Sequence, residues 1–249
     1  MTELLLETLG LRKTFGALRA TDNVDFDVRA GETHAVIGPN GAGKTTFIKQ
    51  LSGELRPDSG RVRFAGEDIT TFSAPRRSRK GLARSFQITS IYRDFSALDN
   101  VALAVQAHAG HSFRFWRSAR EDISLTGPAR EILEKIGLEK RANVIAANLS
   151  HGEQRQLEIA MALATRPRLL LLDEPVAGMG TDESQRMIEF LASLKGEKTI
   201  VLVEHDMGAV FTLADRISVL VYGRIIATGT PAEIHADLGV RAAYLGEDD

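Results

Sequence analysis

The segment Gly38-Pro39-Asn40-Gly41-Ala42-Gly43-Lys44-Thr45 fits G-x-x-x-x-G-K-[ST], a spacing with a physical reason behind it. Glycines let backbone N–H groups approach phosphate oxygens, and a helix opening at the lysine adds the positive end of its dipole. Lys44 can then reach β- and γ-phosphates, and the Thr45 hydroxyl can ligate Mg²⁺. The alternative is an ordinary glycine-rich turn, disfavoured because an apolar run precedes the motif and a helical period follows it. A second group, Asp173-Glu174, ends the apolar run Leu169-Leu170-Leu171-Leu172. A carboxylate at the C-terminal end of a buried strand, beside a phosphate loop, suits Mg²⁺ held through water. The next carboxylate suits a general base for an attacking water. Without the loop, the same acids read equally well as solvated residues before Pro175. Third, Ser150-His151-Gly152-Glu153 fits the capping box S-x-x-E, and the helix N-terminus it caps is also an anion site. Taken alone, capping is the stronger reading there.

Positioning these groups requires strands whose ends meet. Thr33-His34-Ala35-Val36-Ile37 reads as a buried strand feeding the glycine-rich turn, after which Phe47, Ile48 and Leu51 recur at helical spacing until Gly53. Leu169 to Leu172 and Thr199 to Val203 are continuous apolar runs, the pattern of strands covered on both faces. Between them Ile188, Leu191 and Leu194 mark one helix face. Pro57-Asp58-Ser59-Gly60 is turn chemistry before the alternating Arg61 to Phe64, and Ile217 to Val221 with Arg224 to Ala227 flank Tyr222-Gly223 as a hairpin. Strands alternating with helices predict an α/β protein containing parallel strands. The 61 residues from Ile88 to Asn148 are Ala-rich and read as an inserted helical subdomain.

Composition narrows the classes. With 249 residues, 43% apolar and 26% charged, the chain is globular in character rather than disordered or fibrous. Its 31 Lys+Arg against 33 Asp+Glu argue against a surface devoted to nucleic acid. Zero cysteine removes disulfides, thiolate metal sites and thiol nucleophiles, whereas Mg²⁺ asks only for oxygen ligands. No apolar run reaches the length of a spanning helix and no signal peptide is visible, so a soluble, cytoplasmic chain is expected.

The order of the motifs resembles that of ATP-binding-cassette (ABC) ATPases: the phosphate loop, Leu149-Ser150-x-Gly152, the Asp-Glu strand end, and His205. The resemblance implies an α/β fold with a P-loop NTPase (RecA-like) core, residues 1–87 and 166–235, carrying an antiparallel β subdomain. Residues 88–165 would be the inserted helical subdomain with the signature helix, and 236–249 a tail. It implies that Gln87, 43 residues after Lys44, contacts Mg²⁺ and the γ-phosphate. His205, 31 residues after Glu174, would be the switch histidine, and Phe15 would stack on adenine. ATP would then lie on Phe15, on Gly38 to Thr46 (Gly38, Pro39, Asn40, Gly41, Ala42, Gly43, Lys44, Thr45, Thr46), and on Ser150 and Gly152 of a second copy. Thr45, Gln87 and Asp173 would hold Mg²⁺, while Lys44, Gln87, Glu174 and His205 serve hydrolysis. His151 and Glu153 stand where the family signature has glycine and glutamine, and Gly180 where an Asp or Asn often sits. Both loops line the interface between copies in the family, so these departures bear on cooperativity more than on hydrolysis.

Leu82-Ala83-Arg84-Ser85-Phe86-Gln87, Asp173 to Met179, Val203-Glu204-His205-Asp206-Met207 and the tail Ala243 to Glu247 resemble one branch in particular. That branch is the ATP-binding subunits of branched-chain amino acid importers, whose larger group also handles urea and other amides. The tail also resembles the lipopolysaccharide-export ATPase. The resemblance implies a homo- or heterodimer of ATPase subunits on the cytoplasmic face of the inner membrane, driving permease subunits fed by a solute-binding protein, with no nucleic acid. Rivals are a soluble cassette ATPase of iron–sulfur assembly and a DNA-repair or chromosome ATPase, the latter without its usual coiled coil or zinc cysteines. The basic run Arg76 to Lys80 reads as a solvated face, and His108 with His111 as no metal site. Phe113-Arg114-Phe115-Trp116-Arg117 reads equally as a cover for the subdomain core or as a surface for a membrane partner.

Overall fold

A computed structural model describes residues 3–85, 91–109 and 122–240. Strands β1 (Leu4–Phe15), β2 (Leu18–Arg29), β3 (Thr33–Ile37), β4 (Ser59–Phe64), β5 (Glu67–Asp68) and β6 (Leu82–Arg84) come from the first third. The last third supplies β7 (Leu169–Asp173), β8 (Thr199–Val203), β9 (Arg216–Val221) and β10 (Arg224–Gly229). One sheet is antiparallel, in the order β2-β1-β4-β5; the other runs β10-β9-β3-β8-β7-β6 and is parallel except for β10. The hairpin expected around Tyr222-Gly223 is the β9–β10 pair.

Period-two alternation divides the apolar runs between two cores. Val36, Leu169, Leu171, Val201 and Val203 face the antiparallel sheet and helix α1 (Lys44–Ser52). Ala35, Ile37, Leu170, Leu172, Ile200 and Leu202 face the opposite way, into a core shared with helices α3 (Ala97–Ala109), α4 (Ile123–Lys135) and α5 (His151–Ala164). Every residue of β3, β7 and β8 is buried, which is why these strands show no polar alternation. Helix α1 stops where expected, at Gly53, held in the left-handed region at φ 83°. Of the face read from the sequence, Leu191 of helix α6 (Thr181–Ser193) and Leu194 just beyond it are buried and Ile188 is half-buried, with Met187 buried beside them.

The basic run departs from a solvated face at one residue. It forms helix α2 (Ala74–Arg79), whose Arg77 is fully buried and donates to the carbonyls of Gln50, Leu51, Thr70 and Phe72 at 2.7–3.2 Å. Two of those carbonyls belong to the last turn of α1, which its own helix leaves without donors. Between α2 and β6 on one side and α3 and α5 on the other runs an open groove of about 410 Å³, lined by Pro75, Tyr92, Leu103, Ala104, Met161 and charged residues at its floor.

Candidate active site

Register explains why the motifs meet. Val36 of β3 lies opposite Val203 of β8, and Val203 lies opposite Asp173 of β7. The glycine-rich loop, Glu174 and His205 therefore all leave the same edge of the sheet, the carboxyl ends of adjacent parallel strands.

The loop is wedged. Gly43 has φ 106°, and a Cβ there would stand 2.0 Å from the Ala20 carbonyl oxygen, so only glycine fits against β2. The Gly223 N–H donates to the Ala42 carbonyl at 2.8 Å, which ties the loop to the β9–β10 turn. Gly43 caps α1 without a side-chain bond, and the N–H groups of Lys44, Thr45 and Thr46 meet no backbone acceptor among the described residues. Asn40 and Gly41 are exposed, while Pro39, Thr45 and Thr46 are half-buried. Lys44 folds back on the loop, its Nζ donating to the carbonyls of Gly38 at 2.5 Å and Pro39 at 3.0 Å. Burial lowers the Lys44 ammonium from its ordinary value, and the fields of Glu174 and then Asp173 oppose that shift. A buried cation, unpaired N–H groups and two acids at one strand end form a cradle for an anion with its metal, so the donor set fits a Mg²⁺-bound phosphate chain.

Asp173 is buried, and burial pushes its carboxyl up while Arg84 works against it. Arg84, itself buried, binds Asp173 Oδ2 at 3.0 Å and Glu54 Oε1 at 2.7 Å. Glu174 sits in the left-handed region at φ 51°, a conformation that costs a non-glycine residue roughly 1–3 kcal/mol and recurs at functional sites. Its N–H donates to the Val203 carbonyl at 2.8 Å, and its own carbonyl accepts from Arg155 at 3.2 Å; Arg155 also donates to the Asp173 carbonyl. The Glu174 carboxylate remains one-third exposed, with Oε1 3.6 Å from His205 Nδ1.

Ser150 caps α5 with both halves of the capping box in place. Its Oγ also donates to Glu183 Oε1 at 3.2 Å, and the Glu183 carboxylate covers Gly152 so closely that a Cβ there would stand 2.4 Å from it. Among the described residues no hydrogen bond or ion pair joins Ser150 or Gly152 to the glycine-rich loop. Phe15, at the end of β1, is half exposed, with Lys13 Nζ 5.6 Å from its ring centroid. Gln87, His111, Phe113 to Arg117 and the tail from Ala243 to Glu247 lie outside the described residues. Sequence reasoning missed Arg84, Arg155, Glu183 and Glu204 as parts of this site. Arg84 and Glu204 carried a signal, each being a charge at the end of an otherwise apolar strand.

Comparisons with known proteins point to one family. The ABC transporter family matches residues 21–177, and the branched-chain amino acid ATP-binding cassette transporter family matches residues 224–249. The chain is 38% identical over 257 residues to the high-affinity branched-chain amino acid transport ATP-binding protein BraF of Pseudomonas aeruginosa, covering 99% of this chain and 100% of that one. In structure it is similar to the ADP conformation of an ATP-binding cassette of an ABC transporter, with TM-score 0.86 and 29% identity over 99% of this chain and 100% of the other. A dimeric cassette in a post-hydrolysis state, bound to ADP and Pi, matches at TM-score 0.78 and 25% identity over 91% of this chain and 99% of that one.

Proposed function

Because the chain belongs to the ABC transporter ATPase family, we propose that it hydrolyses ATP to power the import of branched-chain amino acids or related amides through a partner permease. The observation that carries the reading is the convergence of Lys44, Asp173, Glu174 and His205 at one edge of the parallel sheet. The BraF likeness over the full chain and the C-terminal family match supply the solute class.

In this reading the loop N–H groups and Lys44 hold the β- and γ-phosphates, and Phe15 offers an exposed ring for adenine. Thr45, Asp173 through water, and Gln87 would hold Mg²⁺, which would supply neutralisation of the phosphate charge. Glu174 takes a proton from water as the water oxygen attacks the γ-phosphorus; the bond to the β–γ bridging oxygen breaks, and ADP carries away that oxygen. His205, 3.6 Å from Glu174, senses the γ-phosphate. Ser150 and Gly152 of a second subunit close over the same nucleotide, so two subunits sandwich two ATP molecules. The permease docks in the groove between α2, β6, α3 and α5, which holds this chain at the cytoplasmic face of the membrane. Among the described residues no helix is long and apolar enough to cross a membrane, so the pore belongs to that partner.

Glu174→Gln tests the chemistry. ATP binding persists, turnover is lost, and an ATP-bound dimer accumulates on size exclusion; near-normal turnover would remove Glu174 as the base. Co-purification of the native complex from detergent-solubilised membranes tests the transport reading. Recovery with soluble factors alone would favour the iron–sulfur assembly alternative.

A further inference from the structure

Glu204 follows the last residue of β8 and is completely buried. A carboxylate in that position is costly by several kcal/mol unless its oxygens are hydrogen-bonded. Here they are. Oε1 accepts the Val176 N–H at 3.1 Å, and Oε2 accepts the N–H groups of His205 at 2.9 Å and Asp206 at 3.3 Å. The donors lie on two separate loops: Val176 is two residues beyond Glu174, and His205 heads the other loop. The same Oε2 stands 3.7 Å from His205 Nδ1, the nitrogen that lies 3.6 Å from Glu174.

We propose that Glu204 is a positioning residue that fixes the separation of Glu174 and His205 by hydrogen-bonding the backbone of both loops. The proposal rests on the ATPase reading above. All three partners are donors, so the position requires an acceptor at each side-chain oxygen. Glutamine keeps the shape but offers one acceptor and one NH₂, which turns the contact with one loop into donor against donor. Aspartate keeps the charge but is one methylene shorter, and can hold the adjacent His205 and Asp206 N–H groups while falling short of Val176.

The test uses the full chain. Single-turnover ATP hydrolysis is measured for the wild type, Glu204→Gln and Glu204→Asp, per nucleotide site titrated with a fluorescent ATP analogue. That normalisation separates lost chemistry from lost folded protein. Glu204→Gln should lower the turnover rate about 10- to 100-fold, with KM for ATP within about twofold, because misplacement of reacting groups acts on kcat. Glu204→Asp should fall between Glu204→Gln and wild type. In a His205→Ala background the Glu204→Gln loss should shrink to under about threefold, since residues acting through one another are not additive. Unchanged turnover in either single variant overturns the proposal, as does a full loss that persists in the His205→Ala background. If Glu204→Gln yields no folded chain, Glu204→Asp alone decides by the same criterion. Wild-type protein that, assayed in its co-purified complex with partner subunits, binds ATP but never turns it over overturns the ATPase reading instead, and this proposal with it.

Discussion

Replacing Arg84 with methionine removes the cation in contact with Asp173 while keeping most of the side-chain volume. The side chains of Arg84 and Asp173 are 4% and 1% exposed, and they meet at 3.0 Å. Burial already raises the Asp173 carboxyl, and Arg84 is the strongest opposing influence. Without it the carboxylate stays buried at a cost of about 3–5 kcal/mol, or takes up a proton. In a chain of this size about 1 kcal/mol moves Tm by ~2–4 °C, so Arg84→Met should lower Tm by roughly 6–20 °C at neutral pH. The pH dependence has a definite sign. A carboxyl raised above its unfolded value of 3.8 binds more protons in the native state than in the unfolded state. Stability is then retained at low pH and lost as pH rises through the folded value, so the deficit of Arg84→Met grows with pH. Circular-dichroism melts of wild type, Arg84→Met and the double variant Arg84→Met/Asp173→Asn, between about pH 5 and 8, measure it. The double variant should recover most of the deficit, because it has no buried charge at position 173 to strand. A deficit under about 3 °C, or one equal at both ends of the pH range, would refute the reasoning.

Two further outcomes follow from the same contacts. Glu183 lies on Ser150 and Gly152, where a second subunit's nucleotide would have to enter; losing that competitor, worth about 0.5–1.5 kcal/mol, should tighten ATP-dependent dimerisation of Glu174→Gln/Glu183→Ala roughly 2- to 10-fold over Glu174→Gln. Sedimentation in ATP reads it, and weaker association would show that Glu183 supports the interface instead. His34 is buried between the Asp27 carbonyl and Ser218, and burial, reinforced by Arg216, lowers its pKa to about 3. The unfolded chain therefore takes up this proton first, and stability is lost as pH falls from 6.5 towards 3. Urea unfolding should show about 2 kcal/mol less stability at pH 5 than at pH 7 from this residue, a slope that His34→Gln removes.

The scaffold was legible because its signals are local. Continuous apolar runs at 169–172 and 199–203 announce strands covered on both faces, and Gly53 announces the end of a helix. The glycine-rich loop was legible for the same reason, since its spacing is its chemistry. What stayed hidden depends on contacts between residues far apart in the chain. Arg77 looks like part of a basic surface until α2 folds beneath the last turn of α1 and gives it four carbonyls to bind. Arg155 looks like an ordinary polar residue of a capped helix until α5 brings it to the strand end 18 residues away. Glu183 has no local pattern of its own; only its place over Gly152 singles it out.

The groove and the strand end are linked by single side chains. Arg84 and Glu158 both line the groove. Arg84 reaches Asp173 directly, and Glu158 binds Arg155 at 2.8 Å, whose other amino group holds the carbonyls of Asp173 and Glu174. The rest of the lining is largely alanine, leucine and methionine, so a permease segment seated there would exclude water without offering many competing hydrogen bonds. Excluding water lowers the local dielectric, and ion pairs already formed at 2.7–3.0 Å then attract more strongly. Occupation of the groove should therefore tighten both contacts to the strand that carries Asp173 and Glu174, rather than pull them apart. The direction matters. A docked partner would firm up the backbone that holds Glu174 at positive φ chiefly by covering Glu54, whose side chain is 29% exposed in the free chain, since Arg84, Asp173 and Glu158 are already buried.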